Sequence, residues 1–467
     1  MCAKSIDKAQ DSVYNISEVH NRASNKPKRR KMVHQHYIRE CWICQEEGEE
    51  IFMEERTILH SDLNNFYASV ECMLEPSLRD KPVAVCGRVE ERHGIVLAKN
   101  YAAKAFGVKT GESIYEAKGK CPKLITVDPH YKEYMKYSRL VRQIYYDYSD
   151  QVEAYGMDEN WIDVTGSSVF GSGEQIANEI RERVKFELGL TVSVGVSFNK
   201  IFAKLGSDMK KPDAVTCITK ENFREKIWGL PASDMLGVGH ATSKVLHRFG
   251  VDTIGALAKC PDSLLTYKFG INGLRMKQYA NGEDHSKVME LDFHAPIKSV
   301  GNGITFLADL QNNEEVWPMI LELSDEVARR LRDAHKKATG VSITVKCNDL
   351  SWKEWQTKLD HPTSNAKEIA DRAYSHFVKN YPWVKPIRAM TIRAIRLQEE
   401  NVSEQLSIFH SYEQIERTEK VDRVVDEIRD RFGWKAITSA ATLKLDKMPH
   451  SDDEIELTMP TGLLTLS

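Results

Sequence analysis

The feature that most constrains the fold is an adjacent pair of acidic residues, Asp158 and Glu159, set between two short apolar segments at 152–155 and 161–164. Both segments have the composition of β-strands, so the pair is predicted at the tip between two strands. Neighbouring carboxylates in such a place repel each other and are unfavourable unless a cation neutralises them. The fold must therefore bring either a cation or bulk solvent to this tip.

A third acidic residue, Asp62, ends the strongest predicted strand, at 57–62, and a helix is predicted directly after it. If the strand ends lie side by side, the three carboxylates supply the hard oxygen ligands that magnesium prefers. Two ions about 3.5–4 Å apart can activate a hydroxyl nucleophile and stabilise a leaving pyrophosphate. Alternatively, Asp62 caps its helix and Asp158-Glu159 forms a solvated turn. The residues alone leave both interpretations open.

The spacing of apolar residues divides the chain of 467 residues into several segments, as expected for three or four domains. Residues 1–55 are polar and carry a basic run at 26–31, so we predict an N-terminal extension. Strands alternate with helices up to about residue 219, which indicates an α+β sheet domain. From 220 to 290 the pattern predicts short helices broken by glycine.

The segment 297–398 has a clear pattern, βαββαβ, which predicts one sheet with two helices. The predicted elements are a strand (297–306), a helix (314–337), two strands (340–358), a helix (364–380) and a strand (385–397). A polar link, one amphipathic helix at about 416–432 and an acidic tail follow. We predict that the apolar stripe of that helix packs on the body of the protein. The stripe consists of Val421, Val424, Val425, Ile428 and Phe432.

Charge, cysteine content and hydropathy limit the classes of function. The net charge of −3 argues against nucleic-acid binding unless positive charge is concentrated in one region. Lys and Arg do outnumber Asp and Glu between 297 and 398, so a local basic surface is plausible. The nine cysteines are scattered, which is typical of a reducing cytoplasm. The sequence has no apolar run of about 18 residues, so we predict no membrane span.

Four segments resemble, in the same order, the motifs of the Y-family DNA polymerases, the group that includes bacterial DNA polymerase IV and UmuC. The segments are 62–71 (DLNNFYASVE), 98–109 (AKNYAAKAFGVK), 157–165 (MDENWIDVT) and 193–212 (SVGVSFNKIFAKLGSDMKKP). The resemblance covers about residues 57–400. It implies a right-hand polymerase fold. The palm would be 56–75 and 131–219, the small fingers 76–130, the helical thumb 220–290, the βαββαβ little finger 297–398 and the C-terminal tail 399–467.

The resemblance also implies an activity, which is template-directed, error-prone translesion DNA synthesis. Such an enzyme transfers deoxynucleotides from dNTP to a primer 3′-hydroxyl by two-metal catalysis with Mg²⁺. It bypasses damaged template bases during DNA repair and the SOS response. We expect a monomer that acts on primer–template DNA in the cytoplasm, at the nucleoid.

The metal-binding positions of the family fall on Asp62, Asp158 and Glu159, with the carbonyl of Leu63 assisting. Glu159 would also lie near the primer hydroxyl. Tyr67 would occupy the steric-gate position, where an aromatic ring clashes with a ribose 2′-hydroxyl. Without the resemblance, the simplest interpretation of Tyr67 is core packing on a helix.

The triphosphate-binding positions of the family fall on Tyr101, Lys104 and Lys211. Two ammonium groups and a phenol suit a polyanion, although an isolated lysine is usually only a solvated side chain. In the predicted little finger, a set of basic residues would grip the DNA backbone. The set is Arg329, Arg330, Arg332, Lys336, Lys337, Lys346 and Arg393.

Five residues depart from the family pattern. Asn64 is an amide where many relatives have an acid, and Ala98 replaces a hydroxyl residue near the phosphates. Gly156, Asn160 and Trp161 replace the usual Ser, Ala and Tyr around the acidic pair. These departures keep an alternative open, in which the chain is a catalytically weak DNA-binding factor, recruited by the sliding clamp, that displaces another polymerase.

Two further segments predict contacts with macromolecules. Gly237 and Gly239 precede a predicted helix, as in a helix-hairpin-helix whose backbone N–H groups approach a DNA phosphate. An ordinary turn between helices is the alternative. The segment 405–409 (QLSIF) resembles the peptide that bacterial polymerases insert into the β sliding clamp, and a helix start or a core strand is the alternative. Its contact residues would be Gln405, Leu406, Ile408 and Phe409.

Near the N-terminus, Cys41 and Cys44 have the spacing of zinc ligands. His34 and His36 could complete a site, but no second Cys/His pair lies close by. The basic run at 26–31 resembles a nuclear address, although a solvated tail that touches DNA agrees better with the clamp peptide.

Overall fold

The structure, a computed structural model, describes residues 55–88, 92, 94–291, 293, 295–400, 412–443 and 446–449. The basic run at 26–31, the Cys41/Cys44 pair and the peptide 405–409 lie outside these residues. None of the helices in the described ranges is long and apolar enough to cross a membrane. Helices and strands are numbered below in chain order.

The first part of the chain forms two sheets. Its elements are β1 (Ile58–Leu63), α1 (Phe66–Leu74), β2 (Val83–Cys86), β3 (Val96–Lys99), α2 (Tyr101–Ala105), α3 (Ile114–Lys120), β4 (Ile125–Val127), α4 (Tyr131–Tyr146), β5 (Val152–Ala154), β6 (Glu159–Asp163), α5 (Gly173–Leu188), β7 (Val192–Ser197), α6 (Lys200–Met209) and β8 (Val215–Ile218). The larger sheet has the strand order β5-β6-β1-β7-β8, and the smaller one β3-β2-β4.

Helices cover both faces of the larger sheet. α4 and α5 pack on one face with a core that includes Leu59, Ile162 and Val194, and α6 packs on the other. Every residue of β1 is therefore buried, including the polar side chains of His60, Ser61 and Asp62. Asp62 is the acidic residue among them, and it lies next to the strand's carboxyl end.

One glycine sets how closely α6 approaches the sheet. A Cβ atom at Gly195, in β7, would lie only 1.9 Å from the carbonyl oxygen of Ala203 in α6. Any larger residue would push the helix outward. Since Lys204 follows Ala203, Gly195 also fixes how far this lysine reaches toward the sheet.

A helical segment follows the larger sheet, as predicted from its broken periodicity. Its helices are α7 (Phe223–Ile227), α8 (His240–His247), α9 (Ile254–Lys259), α10 (Asp262–Phe269) and α11 (Ile271–Ala280). Gly237 has φ +89°, a left-handed conformation that favours glycine, and Gly239 directly precedes α8. Gly237 therefore lies in a turn before α8, as both the helix-hairpin-helix prediction and the alternative of an ordinary turn between helices require.

The βαββαβ prediction for the next segment is confirmed. The elements are β9 (Ser299–Leu310), α12 (Asn313–Asp333), β10 (Lys336–Cys347), β11 (Trp352–Thr363), α13 (Ala366–Asn380) and β12 (Ile387–Glu399). The strands pair antiparallel in the order β11-β10-β12-β9. Both helices contribute to one core with the sheet, so they pack on the same face of it.

The last helix, α14 (Tyr412–Phe432), begins earlier than predicted and contacts the body with a different face. The prediction that its apolar stripe is buried is wrong for Val421, Val424 and Phe432, which are 55%, 53% and 74% exposed. The acidic face of α14 docks instead. Its ion pairs to the βαββαβ segment are Glu419–Lys337, Asp422–Arg332, Asp426–Arg332 and Asp430–Arg329.

Candidate active site

Strand pairing brings the three predicted acids to one end of the larger sheet. β1 runs antiparallel to β6, with Asp62 directly opposite Glu159. The N–H of Leu63 donates to the carbonyl of Asp158 at 3.0 Å. Glu159 is the first residue of β6, so this acid lies within a strand and not at the tip. The spacing of apolar residues predicted a strand that begins only at Trp161, because the first two residues of β6, Glu159 and Asn160, are polar.

Burial and mutual repulsion disfavour the ionised form of two of these carboxylates. Burial raises the pKa of Asp158 to about 6, and the charges of Asp62 and Glu159 add to the effect. Burial likewise raises the pKa of Asp62 to about 6, with Lys211 opposing it. Both groups are therefore unfavourably ionised at neutral pH, which is the condition that a bound cation relieves.

Glu159 behaves in the opposite way because two basic groups contact it. Burial alone would raise its pKa, but His60 and Lys204 outweigh burial and lower the pKa to about 2. Lys204 donates a hydrogen bond to the Glu159 carboxylate, and His60 Nε2 lies 3.4 Å from Oε2. His60 is fully buried, and its Nδ1 is 2.9 Å from Ser207 Oγ.

Two of the acids form ion pairs with lysines. Lys211 Nζ lies 2.8 Å from Asp62 Oδ2 and 2.9 Å from Asp208 Oδ1, and Lys204 pairs with Glu159. Accordingly, no three His, Cys or acidic side chains in the described ranges stand in metal-coordinating geometry. The donor set still fits divalent cations, because two desolvated carboxylates repel each other there and the present counter-charges are mobile ammonium groups.

The residues predicted to bind triphosphate lie near the acids, although not all equally. Tyr101 begins α2, and its pKa is raised by burial, with Lys211 and Asp62 also acting on it. Tyr101 and Lys211 therefore lie beside Asp62. Lys104 is exposed, and its Nζ is 5.6 Å from the centre of the Tyr101 ring. Ala98 lies in β3, directly opposite Val85.

Tyr67 is held in an aromatic stack that the sequence did not predict. Its ring is parallel to that of Tyr134 at 4.2 Å, and Tyr131 meets it edge-on at 6.0 Å. Tyr134 donates a hydrogen bond to the buried carboxylate of Glu71, which also lies 3.0 Å from His130 Nδ1. The stack fixes the orientation of Tyr67, and the charge of Asp158 acts on its hydroxyl.

The residues that depart from the family pattern have structural partners. Asn64 donates to Ser193 Oγ at 2.9 Å and accepts from the N–H of Asp213 at 2.9 Å, so it ties β1 to β7 and to the segment before β8. Trp161 donates through Nε1 to the carbonyl of Lys200 at 2.9 Å. Gly156 lies in the turn between β5 and β6, and Asn160 is buried in β6.

The predicted DNA-contacting basic residues divide into two groups. Five already have partners: Arg329, Arg332 and Lys337 pair with α14, Lys336 pairs with Glu399, and Arg330 donates to the carbonyl of Gly301. Lys346 and Arg393 alternate with buried core residues of β10 and β12, so they lie on the sheet face opposite the two helices.

Comparison with known proteins gives consistent matches. The impB/mucB/samB family profile matches residues 61–208, and the profile of its C-terminal domain matches 297–408. The chain is 51% identical over 390 residues to a DNA polymerase IV of Acetivibrio thermocellus, covering 83% of this chain and 98% of that protein. It is 36% identical over 394 residues to DNA polymerase IV 1 of Bacillus subtilis, covering 84% and 94%.

Among solved structures, the fold is similar to that of a Y-family DNA polymerase chimera, Dbh-Dpo4(243-245)-Dbh. The TM-score is 0.64 at 21% sequence identity, over 73% of this chain and 98% of the chimera. The two sheets, the helical segment and the βαββαβ segment described above therefore correspond to the palm, fingers, thumb and little finger of that architecture.

Proposed function

Since the chain belongs to the impB/mucB/samB family, a branch of the Y-family DNA polymerases, and is thus a DNA-directed DNA polymerase, we propose that it performs error-prone translesion synthesis on two Mg²⁺ ions. The observation that carries the metal assignment is the meeting of Asp62, Asp158 and Glu159 on paired strands, with the pKa of both aspartates raised to about 6.

Asp62, Asp158 and Glu159 would hold the ions, with the Leu63 carbonyl assisting. When bound, the ions would activate the primer 3′-hydroxyl and neutralise charge on the leaving pyrophosphate. The chain's own residues provide the remaining functions. Tyr67, fixed by its stack on Tyr134, presents its ring edge where a ribose 2′-hydroxyl would clash.

Two lysines act as exchangeable counter-charges in this proposal. Lys211 pairs with Asp62, and together with Tyr101 and Lys104 it would bind the triphosphate oxygens of an incoming nucleotide. Transfer of Lys211 from Asp62 to the phosphates would free the carboxylate for metal at the step when nucleotide arrives. Lys204 would release Glu159 in the same way, because an ammonium group is a mobile point charge on a flexible stem.

Primer extension tests the activity. The native protein should extend a primer on an undamaged template, and past an abasic analogue, with Mg²⁺ and all four dNTPs. Asp158→Ala should abolish extension, by 10³-fold or more for loss of a metal ligand (roughly 4 kcal/mol), while DNA binding measured by fluorescence anisotropy is kept. Extension that survives Asp158→Ala would refute the metal assignment.

The second candidate, a catalytically weak DNA-binding factor that is recruited by the sliding clamp and displaces another polymerase, rests on Asn64 and on the altered residues around Asp158. The Asn64 side chain makes both of its hydrogen bonds to other residues of the chain. Its amide thus has a structural role, and the proposed metal ligands are complete without it, which favours an active enzyme. The two candidates differ in cells. Asp158→Ala should remove lesion tolerance if the enzyme is active, and leave it unchanged if displacement is the function.

We further propose that the segment 405–409 binds the bacterial β sliding clamp, through Gln405, Leu406, Ile408 and Phe409, and that Gly237 and Gly239 contact a DNA phosphate. The monomeric state, the nucleoid location and the role in the SOS response belong to the same proposal. Substituting Ile408 and Phe409 together with alanine should abolish co-elution with the clamp but keep primer extension in its absence. Retained co-elution would contradict the clamp assignment.

A further inference from the structure

Helix α4 carries a buried polar stripe beneath the proposed metal site. Ser138, Arg142 and Tyr145 are spaced four and three residues apart, so they lie on one face of the helix. Their exposed fractions are 1%, 5% and 0%. Polar groups buried to this extent need partners, and the two outer residues of the stripe find theirs directly beside two of the acids.

The two ends of the stripe bond to the residues directly before two of the proposed ligands. Ser138 Oγ donates to the carbonyl of Met157, which precedes Asp158. The Tyr145 hydroxyl donates to Ser61 Oγ at 2.8 Å, and Ser61 precedes Asp62. One rigid helix therefore contacts both the β5–β6 turn and the end of β1.

Arg142, in the middle of the stripe, is a buried cation. Its Nη2 donates to Ser138 Oγ at 3.1 Å, and within the described part of the chain its Nε has no hydrogen-bond partner. Burial lowers the pKa of Arg142, with the hydroxyls of Tyr146 and Tyr145 opposing this. A buried charge without an ion pair is unfavourable unless nearby negative charge compensates it.

The Tyr145 hydroxyl links this stripe electrostatically to the site. Burial raises its pKa, and the negative charges of Asp62 and Asp158 act on it in the opposite direction to the positive charge of Arg142.

We propose that Ser138, Arg142 and Tyr145 are positioning residues that set the separation of Asp62 and Asp158, and thereby the affinity for the divalent cations. The inference rests on the proposed metal function of those acids. Mg²⁺ requires near-ideal octahedral geometry, so a small displacement of either strand end weakens binding. Groups that orient metal ligands typically change metal affinity 10- to 100-fold when removed.

The test measures Mn²⁺ binding to the full-length protein by titration calorimetry, without DNA or nucleotide. Ser138→Ala and Tyr145→Phe should each raise the dissociation constant about tenfold. Arg142→Met should do the same, and Arg142→Lys should recover part of the loss. Ser167→Ala is the matched control, because Ser167 is also a buried serine that donates to a backbone carbonyl, that of Tyr148, at 2.7 Å.

The outcomes separate this proposal from the metal assignment. If Asp158→Asn binds Mn²⁺ as the native protein does, the metal assignment fails. If Asp158→Asn loses binding but Ser138→Ala and Tyr145→Phe bind like Ser167→Ala, the positioning role is overturned. Thermal unfolding checks that the variants fold. Ser138→Ala and Ser167→Ala should lower the unfolding midpoint by similar amounts, because each removes one buried serine hydroxyl. A difference in Mn²⁺ affinity between them then reflects positioning and not a general loss of stability. Should Ser138→Ala unfold, Tyr145→Phe, which removes one oxygen atom, decides the question.

Discussion

Asp158→Asn should stabilise the metal-free protein while abolishing its activity. The pKa of Asp158 is raised from 3.8 to about 6, and each pH unit corresponds to about 1.4 kcal/mol. Ionised Asp158 thus destabilises the fold by about 3 kcal/mol at neutral pH. An amide of the same shape removes that charge, so we expect the free energy of unfolding to increase by about 2–3 kcal/mol at pH 7.5.

The sign and pH range follow from linkage. Because the pKa of Asp158 is higher in the folded than in the unfolded protein, folding takes up a proton between about pH 4 and pH 6. The stability contributed by this residue therefore falls as pH rises through that range. At pH 4 Asp158 is almost fully protonated in the folded protein and roughly 40% protonated in the unfolded protein, so the difference between Asp158→Asn and the native protein should shrink to about 0.5 kcal/mol.

Urea unfolding in EDTA, followed by tryptophan fluorescence at pH 4 and pH 7.5, measures both quantities. Asp163→Asn is the control, because Asp163 ends β6, the strand that follows Asp158, and its Oδ1 accepts from Thr165 N–H at 3.0 Å. The amide oxygen of Asn can still accept that bond but carries no charge, so this variant should destabilise the protein by up to about 1 kcal/mol. Adding Mg²⁺ should narrow the gap by stabilising the native protein alone. Destabilisation by Asp158→Asn at pH 7.5, or an equal gain at both pH values, would falsify the reasoning.

Three further outcomes are expected. Because Asp62 and Asp158 have pKa values of about 6, Mg²⁺ must displace two protons when it binds at acid pH. Its dissociation constant, measured by calorimetry, should therefore rise roughly 100-fold from pH 7 to pH 5. A dissociation constant that does not change with pH would contradict a site shared by the two acids. Tyr67→Ala should increase ribonucleotide insertion relative to deoxynucleotide insertion by about 100-fold in kcat/KM, and Tyr67→Phe, which keeps the ring, should not; equal selectivity of both variants would exclude the steric role. Asp426→Asn removes a partner of the mostly buried Arg332 and should release α14, seen as faster proteolysis between 412 and 443; unchanged cleavage would mean that the ion pairs contribute little.

The spacing of apolar residues predicted the fold correctly where each helix or strand buries a single face. The βαββαβ segment was predicted from sequence because each helix buries one apolar stripe against the sheet. The same reasoning misplaced the contact face of α14. Its apolar stripe was expected to be buried, but Asp426 and Asp430 pair with Arg332 and Arg329, far away in the chain. Side chains that meet only after folding leave no trace in local periodicity.

The candidate site shows a similar division. The three acids could be named from the sequence because the motif around each one is specific. The groups that tune them could not be found in the same way. His60 reads as part of an apolar strand, and Glu71 as an ordinary helix acid, yet the first contacts Glu159 and the second holds Tyr134 against Tyr67. Lys204 lay within a recognised motif, although nothing in the motif assigned it to Glu159.

Because ion pairs hold α14 on the βαββαβ segment, the segment 405–409 lies between two parts of the chain that are both anchored. Glu400 ends the preceding strand region and pairs with Arg423 of α14 at 2.6 Å, so both ends of 401–411 are fastened to the little finger. A clamp bound to this segment, as proposed, would stay at high local concentration beside the βαββαβ sheet, and raised salt would loosen this attachment by weakening the ion pairs of α14.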